Sequence, residues 1–321
     1  LTLERYVEQG RRLVTETVQE LGLSPLNQYP IPMGNYRLRI QKKGFDEIVC
    51  PIFVERNQNW NNTPPQKKEP ALVYLPPKGS VGSNEAYVPS GSFITGGDKY
   101  AFNSREKERH WLGGFVIQKY PVTNKEYILF LNWLFRYESE EKALQYAPQL
   151  LGAQIYGRKL DGSFTLKKDR NGNSWRADSP VVSISYKCAS RYAQWKAKQE
   201  KKPWRLPSEL EWIKAARGVD GRFFPWGDHG EHAWANTNRS NPKKPLLCSI
   251  YDFEMDCSPY GVYGMAGNTR DFTMLPDPGA DHFWVCGGSW QQDLRAARCA
   301  SRDLCKRDDR FGNIGFRLVY S

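Results

Sequence analysis

From Gly218 to Ser321 the chain shows no helical period. This last third is dense in Gly, Trp, Asn and Asp, which predicts loops and short strands laid around a core. Helices belong upstream. Thr123-Asn-Lys-Glu126 is a capping box, in which the Thr hydroxyl accepts from the third helical N–H and Glu126 reaches back. Tyr127, Phe130, Leu131 and Leu134 then share one face. Ser185 is placed to cap a second helix carrying Ala189, Tyr192, Ala193 and Lys196. Ser208-Glu-Leu-Glu211 is another capping box, whose helix ends at Gly218. The larger part of the chain therefore mixes strands and a few helices.

The N-terminal part reads differently. Leu3, Tyr6, Val7, Leu13, Val14, Val18 and Leu21 recur at helical spacing and predict a helix ended by Gly22. Tyr36–Ile40 alternates apolar and polar, Lys42-Lys43-Gly44 makes a turn, and Ile48, Cys50, Ile52 and Val54 alternate again, which is a hairpin pattern. Residues 57–82 are rich in Asn, Pro, Lys and Gly, with an apolar run at Leu72–Leu75 that predicts one strand inside a linker. The expected domains are 1–82, a helix plus β-hairpin module and linker, and 84–321. No internal repeat is visible.

Hydrophobic residues make up 40% of the 321, enough for a sizeable core and too many for wholesale disorder. No apolar run approaches the ~18 residues of a membrane span. The first residues lack the basic-then-apolar order of a signal peptide, and the chain starts without Met, as at a processed end. Lys and Arg exceed Asp and Glu by +11, but only in scattered pairs such as Lys42-Lys43, Lys67-Lys68 and Lys201-Lys202. That pattern favours solubility over nucleic-acid binding. The seven cysteines form no CxxC pair and are odd in number, which argues against structural zinc and against a complete disulfide framework. A reducing, cytoplasmic setting fits best. Four scattered histidines form no metal cluster; His229 and His232 are three apart, but in a loop.

Nine segments in order carry a resemblance. They are Ala86-Tyr-Val-Pro-Ser-Gly-Ser-Phe93, Phe115–Tyr127, Ser179–Ser185, Trp204–Trp212, Ala215–Gly218, Phe224-Pro-Trp-Gly-Asp228, Tyr260–Asn268, Gly287-Gly-Ser-Trp290 and Asn313-Ile-Gly-Phe-Arg317. Together they resemble the formylglycine-generating-enzyme (sulfatase-modifying factor) family. The resemblance implies a C-type-lectin-like α+β fold for residues 84–321, preceded by a small N-terminal β module. Residues 1–82 resemble, more loosely, the segment between kinase and sulfatase-modifying-factor-like domains of some bacterial kinases. The family holds copper oxidases that form formylglycine, iron enzymes that make sulfoxides, and non-catalytic binders such as the variable proteins of diversity-generating retroelements. Fold alone does not choose among them.

The oxidases need two cysteines five residues apart, because two thiolates suit copper(I). Arg298-Cys-Ala-Ser-Arg302 resembles a family segment just after that pair. Cys299 then matches a third, non-catalytic cysteine, Leu294 falls on the nearer thiolate position, and the farther one has no counterpart. Cys305 lies six residues beyond Cys299. Copper is therefore not expected, and the missing pair points away from oxidase catalysis. The iron branch needs a histidine-rich domain that is lacking here. The family's calcium segment corresponds to Gly267-Asn-Thr-Arg-Asp-Phe272, so calcium is the one cofactor implied, at Asn236, Gly267, Thr269 and Asp271, with Arg270 placing a cation beside it. Asp169-Arg-Asn-Gly-Asn173 resembles the start of a calcium loop but lacks the closing Glu, and predicts an Asx-rich hairpin turn.

Between the frames Gly287–Trp290 and Gly315-Phe-Arg317 lies the segment that retroelement variable proteins diversify, mostly from Asn codons. Asp293, Leu294, Ala296, Ser301, Asp303, Leu304, Cys305, Phe311 and Gly312 are reachable that way; Gln291, Gln292 and Lys306 are not, from AAC. The expected ligand surface, for a protein partner, is Trp290, Gln291, Gln292, Asp293, Leu294, Ala296, Ser301, Asp303, Leu304, Cys305 and Phe311. The alternatives are a formylglycine-generating-type oxidase and a regulatory domain of a kinase-type multidomain protein. Trp204, Trp212, Trp226 and Trp290 are expected largely buried, and Arg298, Arg302 and Arg317 paired with carboxylates or carbonyls.

Overall fold

The structure is a computed structural model that describes residues 1–26, 29–167, 175–241, 246–277 and 279–321. It opens with four strands, β1 (Thr2–Gln9), β2 (Arg12–Glu20), β3 (Gly34–Ile40) and β4 (Ile48–Val54), in the order β2-β1-β3-β4, all antiparallel. The expected N-terminal helix is thus a hairpin. Gly10 and Arg11 both take positive φ, 55° and 68°, and this two-residue turn sets Gln9 opposite Arg12. Helical spacing misled because β2 is half solvent-exposed and carries no clean alternation. The β3–β4 hairpin forms as expected. Leu3, Tyr36, Ile52 and Val54 make its small core, beside which buried Glu4 accepts from Arg37 and, at 2.8 and 3.0 Å, from Arg39. The run Leu72–Leu75 forms no strand: Leu72 and Tyr74 are exposed, and this stretch is irregular.

The larger part begins with β5 (Glu85–Val88), β6 (Gly91–Thr95), β7 (Glu108–Leu112) and β8 (Phe115–Gln118). α1 (Asn124–Tyr137) starts from the Thr123–Glu126 capping box, with both reciprocal bonds made, and α2 (Glu140–Tyr146) follows. Short strands β9 (Gln149–Leu150), β10 (Ala153–Gln154), β11 (Tyr156–Arg158) and β12 (Phe164–Leu166) form two hairpins. The Asx-rich turn expected at 169–173 lies outside the described residues. α3 (Tyr186–Glu200) has Ser185 at its N-cap position, but the Ser185 hydroxyl sits 3.3 Å from Cys188 Sγ and makes no cap bond. α4 (Glu209–Arg217) uses the Ser208–Glu211 box.

Beyond α4 no helix forms among the described residues. β13 (Arg270–Phe272), β14 (His282–Cys286), β15 (Arg302–Lys306) and β16 (Ile314–Gly315) make the sheet β15-β14-β13-β16, with β13 and β16 parallel. β17 (Val319–Tyr320) closes the domain against β8, so its last strand lies beside one of its first. The main core packs Tyr127, Phe130, Leu134, Tyr192, Phe272 and Phe316; a second core surrounds Phe93, Phe115 and Trp212. Among the described residues no helix is long and apolar enough to cross a membrane.

Candidate functional site

The C-terminal segment is built on buried charge. Glu209, in the first turn of α4, accepts from Arg105 at 2.6 and 2.9 Å and from Arg302 at 3.0 Å, tying two distant stretches to one carboxylate. Arg298 reaches buried Asp98 at 2.5 Å. Arg317, fully buried, donates to Asp271 at 2.6 Å and to the carbonyls of Lys119, Tyr263 and Gly264. All three arginines therefore pair as expected. Trp204, Trp212 and Trp226 are buried; Trp290 is half-buried and donates to the Gly312 carbonyl at 3.2 Å.

The expected surface residues separate into two groups. Ala296, Ser301 and Cys305 are buried. The pleat turns Cys305 inward because β15 pairs it with core residue Phe283. Ser301 Oγ bonds to Arg295 O and accepts the Phe102 N–H at 3.1 Å. These three are framework, which corrects their place in the ligand surface. Leu304 and Phe311 are 53% and 43% exposed, and Gln291 is exposed too. Gln292, Asp293, Leu294 and Asp303 are half-buried at the rim. Asp293 pairs with Arg295 at 3.1 Å and Asp303 with Arg270 at 2.9 Å.

A second stretch completes the surface. Arg302 N–H donates to Phe102 O at 3.0 Å, Arg302 Nε to Asn103 O at 2.8 Å, and Asn103 Nδ2 to Arg302 O at 3.1 Å. This zipper presents Tyr100 and Phe102, 59% and 38% exposed, beside the C-terminal segment. Arginines face the rings: Arg295 over Phe102 at 4.9 Å, Arg298 over Phe223 at 4.4 Å, Arg302 over Trp284 at 3.8 Å. Sequence reasoning missed Tyr100, Phe102 and Phe223, which lie far from 291–312 along the chain. The local signals are Tyr100-Ala-Phe102 after Gly96-Gly97-Asp98, and Phe223-Phe224 before Pro225.

The thiol chemistry of the oxidase branch is not assembled. Leu294 packs against the buried cluster of Phe224, Trp226, Ala235, Ala266 and Ala297. Cys299 and Cys305 lie in separate apolar clusters. Burial pushes the Cys299 thiol far up and the Cys305 thiol up to about 11, away from the thiolate that copper(I) requires.

The residues implied for calcium include one carboxylate, and its pairing with Arg317 leaves too little negative charge for a calcium site. Asp271 Oδ2 accepts from Arg317 and from Trp212 Nε1 at 2.9 Å, so a guanidinium already neutralises the carboxylate, while Asp271 Oδ1 and Thr269 Oγ1 are buried without a hydrogen-bond partner. Asn236 donates to Leu246 O and Asn268 Oδ1. Gly267 N–H points to Asp256, and Thr269 N–H to Gly267 O. Among the described residues no group of three or more His, Cys, Asp or Glu could hold a metal.

Comparison with known proteins places this geometry. An uncharacterized protein, YfmG of Bacillus subtilis, is 30% identical over 240 residues, 65% of this chain and 42% of its own length. The mouse protein described as inactive C-alpha-formylglycine-generating enzyme 2 is 27% identical over 79% of this chain and 87% of its own. The serine/threonine-protein kinase pkn1 of Chlamydia caviae is 29% identical over 56% of this chain, but only 26% of the kinase. Among solved structures, PvdO from Pseudomonas aeruginosa superposes with a TM-score of 0.57 at 21% identity, covering 79% of this chain and all of that one. Treponema denticola variable protein 1 superposes with a TM-score of 0.52 at 15% identity, over 78% and 98%. The fold is that of these proteins, an α+β C-type-lectin-like domain. Residues 75–321 match the Sulfatase-modifying factor enzyme 1-like domain, and the chain belongs to that family.

Proposed function

We propose that the chain is a non-catalytic member of its family that binds a protein ligand through the surface of residues 291–312, extended by Tyr100 and Phe102. The observation that carries this reading is the exposed set Tyr100, Phe102, Leu304 and Phe311, the first three on stretches tied to the core by the ion pairs Arg298–Asp98 and Arg302–Glu209 and the last anchored by the Ser183 N–H on its carbonyl. Exposed rings beside arginines are the chemistry of interface hot spots, and pre-ordering them lowers the entropy lost on binding. Leu294 in the thiolate position supports the non-catalytic half. An inactive enzyme among the relatives and a variable protein among the fold neighbours are consistent with it.

The test replaces Leu304 and Phe311 together with Ala. Partners crosslinked to the wild-type protein are identified and one is purified. Unchanged melting with at least a tenfold weaker Kd for that partner, about 1.4 kcal/mol, supports the surface. Unchanged melting with unchanged Kd overturns it. Copper- and oxygen-dependent turnover of a sulfatase-type peptide, lost in Cys299→Ser, would overturn the non-catalytic half. A second reading, a domain working within a larger kinase-type chain, is favoured by the match to pkn1; a partner that binds residues 1–74 alone would favour it.

A further inference from the structure

The loop Asp220–Asp228 has two occupied faces, and the N-terminal hairpin, outside the family match, covers one of them. On that face Arg222 is buried, held by Asp220 at 2.7 and 3.0 Å, and the ring of Tyr6 from β1 lies 4.7 Å from its guanidinium. At the start of β2, Leu13 N–H donates to Trp226 O at 2.8 Å. Leu13 crosses so close to Gly227, which has φ of 144°, that a Cβ there would lie 3.3 Å from the Leu13 backbone nitrogen. On the other face Phe223 O accepts the Cys299 N–H at 2.8 Å, and the Phe223 ring faces Arg298. Phe224 stacks on Trp226 with centroids 5.2 Å apart, in the cluster that receives Leu294.

We infer that the β1–β2 hairpin is a brace on this loop, and that its seating sets the conformation of the Leu294–Ser301 stretch on the far side. Two short paths connect them: Tyr6 to Arg222 to Phe223 to Arg298 and Cys299, and Leu13 to Trp226 to Phe224 to Leu294. Removal of the hairpin strips the ring from a buried guanidinium and leaves the Trp226 carbonyl without its partner. Both losses loosen the segment that carries the Cys299 bond. The brace acts whatever ligand the surface takes. A partner that pulls the hairpin away would reshape the surface, and a ligand on the surface would tighten the hairpin by the same factor.

Amide exchange on the full chain tests the brace at Leu13, Gly227 and Cys299, whose N–H groups report the hairpin, the loop and the far segment. Tyr6→Ala removes the ring. Leu13→Pro removes the N–H at an edge-strand position that points out of the β1–β2 ladder, where proline is tolerated. The expected result is about a tenfold or greater fall in protection at Gly227 and Cys299, with faster alkylation of the Cys299 thiol and unchanged alkylation of Cys188. Wild-type protection at Gly227 and Cys299, with protection lost at Val7 and Val14, would overturn the inference. Should either variant fail to fold, exchange of the wild-type protein in low denaturant decides. A common opening of the three amides supports the brace, and hairpin opening without the other two overturns it.

Discussion

The N-terminal sheet and the stretch after α4 solve one problem in opposite ways. In residues 2–54 most backbone groups are paired strand to strand, so a cluster of four apolar side chains beside one ion-paired Glu4 suffices as the sheet's own core. After α4 the strands are short, and side chains must satisfy the backbone. Asp256 accepts the N–H groups of Met265, Ala266 and Gly267 at 2.9–3.1 Å. Asn268 takes the Cys248 N–H at 3.0 Å, and Arg217, at the end of α4, and Arg317 donate to six carbonyls while buried. This is why the last third is rich in Asn and Asp and carries large buried cations. Regular pairing tolerates sequence change; irregular chain depends on single polar residues.

The comparison breaks first at Arg317. Arg317→Met leaves Asp271 buried without its cation and three carbonyls without a donor, and should cost about 3–5 kcal/mol, read as a fall in the urea midpoint. The corresponding loss in the sheet should be smaller. Between them in size stands a pH effect at Lys214, whose amino group is buried where α4 meets the segment 89–91 and donates to Pro89 O at 2.7 Å and Gly91 O at 3.1 Å. Burial pushes its pKa down to about 7 from 10.5. From about pH 7 to 10.5 the unfolded chain holds the extra proton, so this group makes stability rise with pH and fall as pH drops through that window. The contribution is on the order of 3 kcal/mol, and it should vanish from the difference between pH 7 and pH 10 unfolding in Lys214→Met.

In the sheet, Glu4→Gln removes the charge opposite Arg37 and Arg39, and about 1–2 kcal/mol is expected, confined to faster amide exchange in β1–β4. Burial opposes ionisation of Glu4, but the hydrogen bonds and charges of the two arginines outweigh it and hold its pKa below 4.5. Its contribution is therefore present above that value and lost as pH falls through the lower, folded one. The smallest effect, about 1 kcal/mol, is expected from Thr123→Ala at the α1 cap, and a melting shift of a few degrees would show it.

Local chemistry was legible along the chain. Both capping boxes work within four residues, so Thr123–Glu126 and Ser208–Glu211 act wherever the helix goes, and the β3–β4 alternation shows because one face is buried. The β1–β2 hairpin was not legible: its apolar positions fit a helical spacing, and only the Gly10-Arg11 turn distinguishes it. At the candidate surface, the identity of 291–312 as a segment framed by Gly287–Trp290 and Gly315–Arg317 could be read directly. Which of its side chains point out could not, because that depends on the register of β15 against β14, which buries Cys305 and exposes Leu304.

The sequence by itself determined the family, the capped helices, the absence of a matched thiolate pair and the pairing partners' types for the frame arginines, since each rests on residue identity or short spacing. Only the tertiary structure decided that Tyr100 and Phe102 stand beside residue 302, and that Asp271 serves Arg317. It also decided that a hairpin from residues 2–20 seats against the loop beneath Leu294. These are contacts across 46, 200 and 213 positions, and they form where a buried charge or backbone group finds the one partner the packed core leaves within reach.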